Sequence, residues 1–161
     1  MAAVREASLD DPLPMTHSWP LFEQGQRFDL GHLCDDIVGA MAGFYQHPDV
    51  LAKHGIGLWD CDLQDSKLTW TAGVFDLFGL PRGAQVERDD VVALYEENSR
   101  AAMEKLRAYA IRHRRGFTLD TQIIPATGER RWMRLIAAPI CIGRRVLRLH
   151  GIKLDVSEAY R

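Results

Sequence analysis

Residues 116–155 read GFTLDTQIIPATGERRWMRLIAAPICIGRRVLRLHGIKLD. Phe117, Leu119, Thr121 and Ile123 alternate with Thr118, Asp120 and Gln122, a period of two that a strand satisfies and a helix does not. Thr127–Gly128 and Gly143 supply two turns, so three consecutive strands pair antiparallel. In the middle strand Trp132 and Ile136 share a parity with Arg134, while Val146 to Leu154 alternates less cleanly. Such a sheet has an apolar face that must be covered by another layer.

The remaining segments supply that layer and extend the sheet. GIGLWDCDLQDSKLTWT, residues 55–71, reads as two short strands around a tight turn at Gln64–Ser66. Trp59, Cys61 and Leu63 alternate with Asp60 and Asp62, whereas Ile56 and Leu58 make the start apolar on both faces and require an outer cover. AGVFDLFGLPRG, residues 72–83, is a short helix with Val74, Phe75, Leu77 and Phe78 apolar, stopped by Gly79 and Pro81. Residues 88–116 are helical with a break near Glu97–Asn98, where Asn98 caps a second helix carrying Ala102, Met103, Leu106, Ala110 and His113 on one face. Two strands before the helices and three after them predict an α+β domain with a five-stranded antiparallel sheet and helices between strands two and three.

Upstream, Leu30, Leu33, Ile37, Val38, Met41 and Phe44 recur at three- and four-residue steps with Cys34 and Tyr45 on the same stripe. The spacing predicts an amphipathic helix from Asp29 to Gln46, capped by Asp29 and ended by His47-Pro48-Asp49. Its stripe packs on its own domain, where the outer face of the first strand needs cover, or on a second copy as a dimer helix. Residues 1–27 hold Pro12, Pro14 and Pro20 and show no periodicity, which predicts an irregular arm docked by Trp19, Leu21 and Phe22. The chain thus divides into an arm (1–27), a helical extension (28–54) and one compact domain (55–158).

Charge and cysteines narrow the setting. The formal net charge is −2, and although residues 101–161 are basic, their arginines are not interleaved with exposed aromatics as a nucleic-acid platform requires. Nucleic acid is therefore not an expected partner. Cys34, Cys61 and Cys141 have no C-x-x-C spacing, which suits reduced thiols and a cytoplasmic setting better than a disulfide framework or a zinc site. No run approaches the roughly 18 consecutive apolar residues of a membrane span. Asp60 and Asp62 share a parity that reads as solvent-facing, not as a catalytic pair. G-x-S-x-G, Walker-type, H-E-x-x-H and dinucleotide motifs are absent, so neither a catalytic nor a metal site is expected.

The opening W-D-C-D-L strand, the TGERRW hairpin and the closing HGIKLDVSE, taken in order and spacing, resemble the PAS domain superfamily over about residues 55–158. The resemblance implies a sensory or dimerisation module and not an enzyme, with Trp132 as a large apolar wall and its neighbouring arginines paired with carboxylates or lining the polar side of the strand. Many members carry a His-Pro-Asp-Asp-Arg turn before the long helix; EENSR (96–100) stands there instead. PAS relatives that form a flavin adduct place the reactive Cys in an Asn-Cys-Arg-Phe-Leu-Gln stretch, which is absent here, so no flavin adduct is expected. Haem-binding relatives use a His on the long helix, but His113 lies in RHRRG, a charged helix end that favours a solvated His.

A pocket between sheet and helices would be lined by Trp70, Phe78, Tyr95, Met103 and Trp132, residue types that serve equally to fill a core. At the end of the domain, Asp155 accepts from backbone N–H groups two or three residues on, and Ser157 stands where the family's usual Thr would be. By the resemblance, the signal leaves there towards an effector domain or a partner protein. Two functions remain: a dimeric sensor that binds a small molecule, or a ligand-free interaction module. An enzyme on the same scaffold is a remote third.

Overall fold

The computed structural model describes residues 14–28 and 48–161. Its elements are β1 (Thr16–Pro20), a 3-10 turn (Leu21–Glu23), α1 (Gln24–Arg27), α2 (Pro48–Lys53), β2 (Ile56–Asp62), β3 (Leu68–Trp70), α3 (Ala72–Phe78), α4 (Arg88–Val92), α5 (Glu97–His113), β4 (Arg115–Ile123), β5 (Arg131–Ile142), β6 (Arg145–Asp155) and a closing 3-10 turn (Ser157–Tyr160). The sheet order is β1-β4-β5-β6-β2-β3, with every pairing antiparallel. The five expected strands and the helices between the second and third of them are present.

The sixth strand lies in the stretch read as an irregular arm. β1 pairs with the outer edge of β4, Trp19 opposite Gly116. Pro20 is tolerated because it closes an edge strand, where a missing N–H costs no ladder bond. Trp19 is fully buried over Gly116, where an added Cβ would lie 2.2 Å from the indole, and its Nε1 donates to Thr118 Oγ1 at 3.1 Å. Leu21 packs beside it, but Phe22 is 88% exposed and does not dock. The expected helix with Leu30, Leu33, Ile37, Val38, Met41 and Phe44 lies outside the described residues.

Strand parity divides the core in two. The inner face carries Trp59, Cys61, Phe117, Leu119, Met133, Leu135 and Leu149, packed against Val74, Leu77 and Phe78 of α3 and Met103 and Ala110 of α5. The outer face carries Ile56, Ile136, Ala138, Ile152 and Leu154, covered by Trp19, Leu51 of α2 and Phe28. α3 sits close on β2 because Gly73 meets Gly57: a Cβ on Gly73 would lie 2.0 Å from the Ile56 carbonyl oxygen.

Two local expectations are corrected. Asn98 does not cap α5; Glu96 does, its carboxylate accepting from the Asn98 and Ser99 N–H groups, both at 3.1 Å. A longer carboxylate can reach the first-turn donors as an Asx side chain would, and its charge suits the positive helix end. Asp60 and Asp62 are not simply solvated. Both pair with Arg148 across β2 and β6 on the outer face.

Candidate functional site

Counting parity along β6 from Leu149 through Gly151 brings Lys153 onto the inner face among the core residues. Trp59 lies opposite Gly151 on one side and opposite Trp70 on the other, so β6, β2 and β3 place one lysine and two indoles in neighbouring rows. α3 adds Phe78. Tyr95, held by its bridge to Ile123 at the sheet edge, adds the fourth ring.

The Lys153 ammonium sits among these rings, 5.0 Å from the Phe78 centroid, 5.3 Å from Trp59, 5.7 Å from Trp70 and 5.9 Å from Tyr95. Lys153 is only 6% exposed, and its polar partner is the Tyr95 hydroxyl, to which Nζ donates at 3.4 Å. No carboxylate pairs with it among the described residues. Burial drives its pKa down to about 7, with Cys61 acting to raise it and Arg88 to lower it. Burial likewise raises the Tyr95 hydroxyl well above the usual phenol range. The Trp59 and Trp70 Nε1–H groups are buried and have no hydrogen-bond partner among the described residues.

Beside the ammonium is a cavity of about 60 Å³, lined by Leu149, Phe117 and Leu135 from the sheet, Val91 from α4 and Met103 from α5, together with Arg88 and Arg107. Arg88 is paired with Glu104. The space is roughly four times the minimum needed for one water. The polar groups around it are predominantly hydrogen-bond donors.

Of the five pocket candidates named from sequence, Tyr95 and Met103 line this cavity, whereas Trp70 and Phe78 border the Lys153 ammonium without lining it. Trp132 does not join them. Its even parity puts it on the outer face, where its ring stacks on Tyr160 at 4.0 Å and 12°. Lys153 and Trp59 were missed, although the signal was available: a lysine in step with Leu149 belongs to the buried row of β6. His113 is exposed at the end of α5, against Tyr109, and is not among the residues lining the cavity. Cys61 lines the cavity and is buried.

The closing turn after β6 is tied back to the sheet. The Asp155 carboxylate accepts from the Ser157 N–H at 2.9 Å, as expected, and the Ser157 hydroxyl accepts from the Trp132 N–H at 3.0 Å. The Val156 N–H returns to the Trp132 carbonyl at 2.9 Å. Tyr160 donates to Asp120, a buried carboxylate that also takes Arg134 at 2.8 and 3.1 Å.

No family model matches the chain, and no curated protein matches it in sequence. Solved structures do match in fold. The N-terminal domain of a diguanylate cyclase with PAS/PAC sensor from Marinobacter aquaeolei superposes with a TM-score of 0.61 at 15% identity, over 66% of this chain and 99% of that one. A sensory box histidine kinase/response regulator from Burkholderia thailandensis gives 0.59 at 15% identity, over 73% and 86%. An RNA-binding light-oxygen-voltage receptor gives 0.58 at 16% identity over 66% of this chain, which spans only 30% of the receptor structure.

The described fold is therefore that of a PAS-like domain, an antiparallel sheet with α3, α4 and α5 gathered over its inner face. β1 extends the sheet beyond β4, and α2 lies against β2. No helix among the described residues is long and apolar enough to cross a membrane.

Proposed function

We propose that this chain is a PAS-type sensory domain whose cavity beside Lys153 receives a small molecule and whose Asp155–Ser157 exit relays the occupancy to an effector domain or partner protein. The observation that carries the reading is a buried lysine that has no carboxylate partner among the described residues and faces a cavity between sheet and helices. An ammonium buried without a counter-ion is costly, and a protein that keeps one in a cavity has a use for it more often than a core does. The fold likeness to sensor domains of a cyclase and a kinase supports the same direction.

Relay requires two states that the ligand binds unequally. The exit lies two residues beyond Lys153 on the same strand, so a ligand that draws the ammonium away from the Phe78 and Tyr95 rings acts on the end of β6. In this reading the domain works as a cytoplasmic dimer, assembled through the stripe of Leu30, Leu33, Ile37, Val38, Met41 and Phe44. It has no catalytic role of its own.

One observation favours a ligand-free interaction module instead. The cavity is small, and Trp70 already stacks on Phe78 at 5.3 Å and 13°, as core side chains do. Native mass spectrometry of freshly purified protein, beside a denatured spectrum, separates the two readings. A discrete extra mass lost on denaturation supports the sensor. An apo species that no member of a broad metabolite panel stabilises against heat supports the interaction module.

A further inference from the structure

We infer that the cavity takes a small monoanion, a carboxylate on a short apolar body, whose charged end is met by the Lys153 ammonium and the Trp59 indole N–H group. The inference rests on the sensory reading above for the existence of a ligand, and adds its chemical class.

Donors and acceptors around the cavity do not balance. Lys153 Nζ has three N–H bonds and one weak partner, the Tyr95 oxygen at 3.4 Å. The two indole N–H groups on the rings flanking it have none among the described residues. An indole nitrogen donates only, and the charged ammonium donates only, so with Lys153 protonated these groups cannot satisfy one another. The acceptors within reach are the Tyr95 hydroxyl and the Cys61 sulfur, the latter a weak one. Glu104, the nearby carboxylate, is engaged by Arg88. Buried polar groups are nearly always paired, so an under-satisfied ammonium and the orphaned Trp59 N–H around one space point to an acceptor that is brought in.

Charge and size then select among acceptors. A cation would meet Lys153 and Arg107, with Glu104 already engaged by Arg88 and no carboxylate among the residues that line the space. A neutral amide offers one acceptor oxygen and adds its own donors to a site that lacks acceptors. A carboxylate offers two oxygens and accepts only, and it supplies the missing counter-charge. The remaining wall, Val91, Met103, Phe117, Leu135 and Leu149, is apolar and asks for a hydrocarbon body. A cavity of about 60 Å³ holds only a few heavy atoms, which is the scale of propionate or butyrate rather than of a nucleotide or a flavin.

The test uses an isosteric series of butyrate, butyramide and butylamine added to the full-length chain in carboxylate-free buffer. The readout is the four tryptophan indole resonances in a nitrogen–proton correlation spectrum, assigned with Trp59→Phe and Trp70→Phe. The expected result is that butyrate moves the Trp59 signal most and leaves Trp19 and Trp132 in place. Butyramide should bind at least about tenfold more weakly, the loss expected for a charge-assisted hydrogen bond. Butylamine should leave the spectrum unchanged. Lys153→Met should fold, since it removes a buried charge, and should weaken butyrate by about tenfold or more. If that variant does not fold, Trp59→Phe, which keeps a ring and loses one donor, should weaken it by about fivefold.

Equal affinity for butyrate and butyramide, or butyrate affinity that survives Lys153→Met, would overturn the assignment of an anion. So would a spectrum that none of the three probes changes. In each of those cases the native mass spectrum decides the fate of the parent reading. A co-purified neutral molecule keeps the sensor and removes only the monoanion, whereas an apo protein that answers to nothing in the metabolite panel removes both.

Discussion

Trp132 and Tyr160 stack face to face, with centroids 4.0 Å apart and planes 12° apart, on the side of the sheet opposite Lys153. Tyr160 belongs to the closing turn, and its hydroxyl donates to Asp120, whose carboxylate is 1% exposed and held by Arg134. Burial raises the Tyr160 hydroxyl to about 12, and its hydrogen bond to Asp120 acts the same way. The closing turn is thus fixed by a stack, a hydroxyl bond and the Ser157 contact, all returning to β4 and β5.

Removing either partner of Asp120 should therefore loosen the exit to different degrees. Arg134→Ala leaves a buried carboxylate without its cation and should cost about 3 kcal/mol in urea unfolding. Tyr160→Phe keeps the stack, loses one hydrogen bond to a charged group and should cost about 1.5 kcal/mol. A smaller loss for Arg134→Ala than for Tyr160→Phe would show that the ion pair does not hold this corner.

The titration of Lys153 gives a pH signature. Its folded pKa of about 7 lies below the unfolded value of 10.5, so between those values the unfolded chain holds a proton that the folded chain has released. The ligand-free protein should then gain stability as pH rises through that window, by up to about 5 kcal/mol. Cys61, Tyr95, Arg88, Arg107 and Glu104 surround the same space, so the comparison is with Lys153→Met, which keeps all of them. The variant should be the more stable protein near neutral pH and should show a flatter profile. Parallel profiles from thermal unfolding would mean that Lys153 stays charged in the fold.

β1 makes a third prediction. Trp19 fills the space above Gly116 completely, and Trp19→Ala should cost about 3–5 kcal/mol, as for other buried aromatic truncations. Phe22→Ala, a neighbour of the same residue class, should change stability by less than about 0.5 kcal/mol because Phe22 is exposed. Chemical denaturation of the two variants side by side checks both.

The proposed dimer stripe is tested by placing charges in it. Ile37→Glu together with Met41→Lys should convert a dimer to monomers in sedimentation velocity. A dimer that persists would move the interface elsewhere, with the exposed Ile140 and Ile142 at the end of β5 as the next surface to alter.

The sheet was legible because its strands announce themselves in two independent ways, by alternation and by turns at Thr127–Gly128 and Gly143. β1 was not legible. Five residues ending in proline carry almost no periodic signal, and the strand exists because Trp19 finds Gly116 in a distant part of the chain. The site was half legible for a related reason. Trp70, Phe78, Tyr95 and Met103 could be named as large apolar residues on segments that surround one space, but Trp132 has the same composition and the wrong parity. Lys153 was passed over because charge normally reads as surface. Its neighbours in the register, Gly57 and Leu135, show that it is flanked on both sides by buried strands.

On the proposed relay, β6 sets how far an event at the cavity would have to travel. Lys153 touches the aromatic rings, and Asp155, two residues on, fixes Ser157, which holds Trp132 on the opposite face. At the usual rise of a strand this is a path of about 7 Å along one backbone. The ammonium and the exit turn are joined by a single stiff rod with no hinge glycine between them, so a rotation of Lys153 about its strand axis would be felt at the closing turn without any helix having to move first.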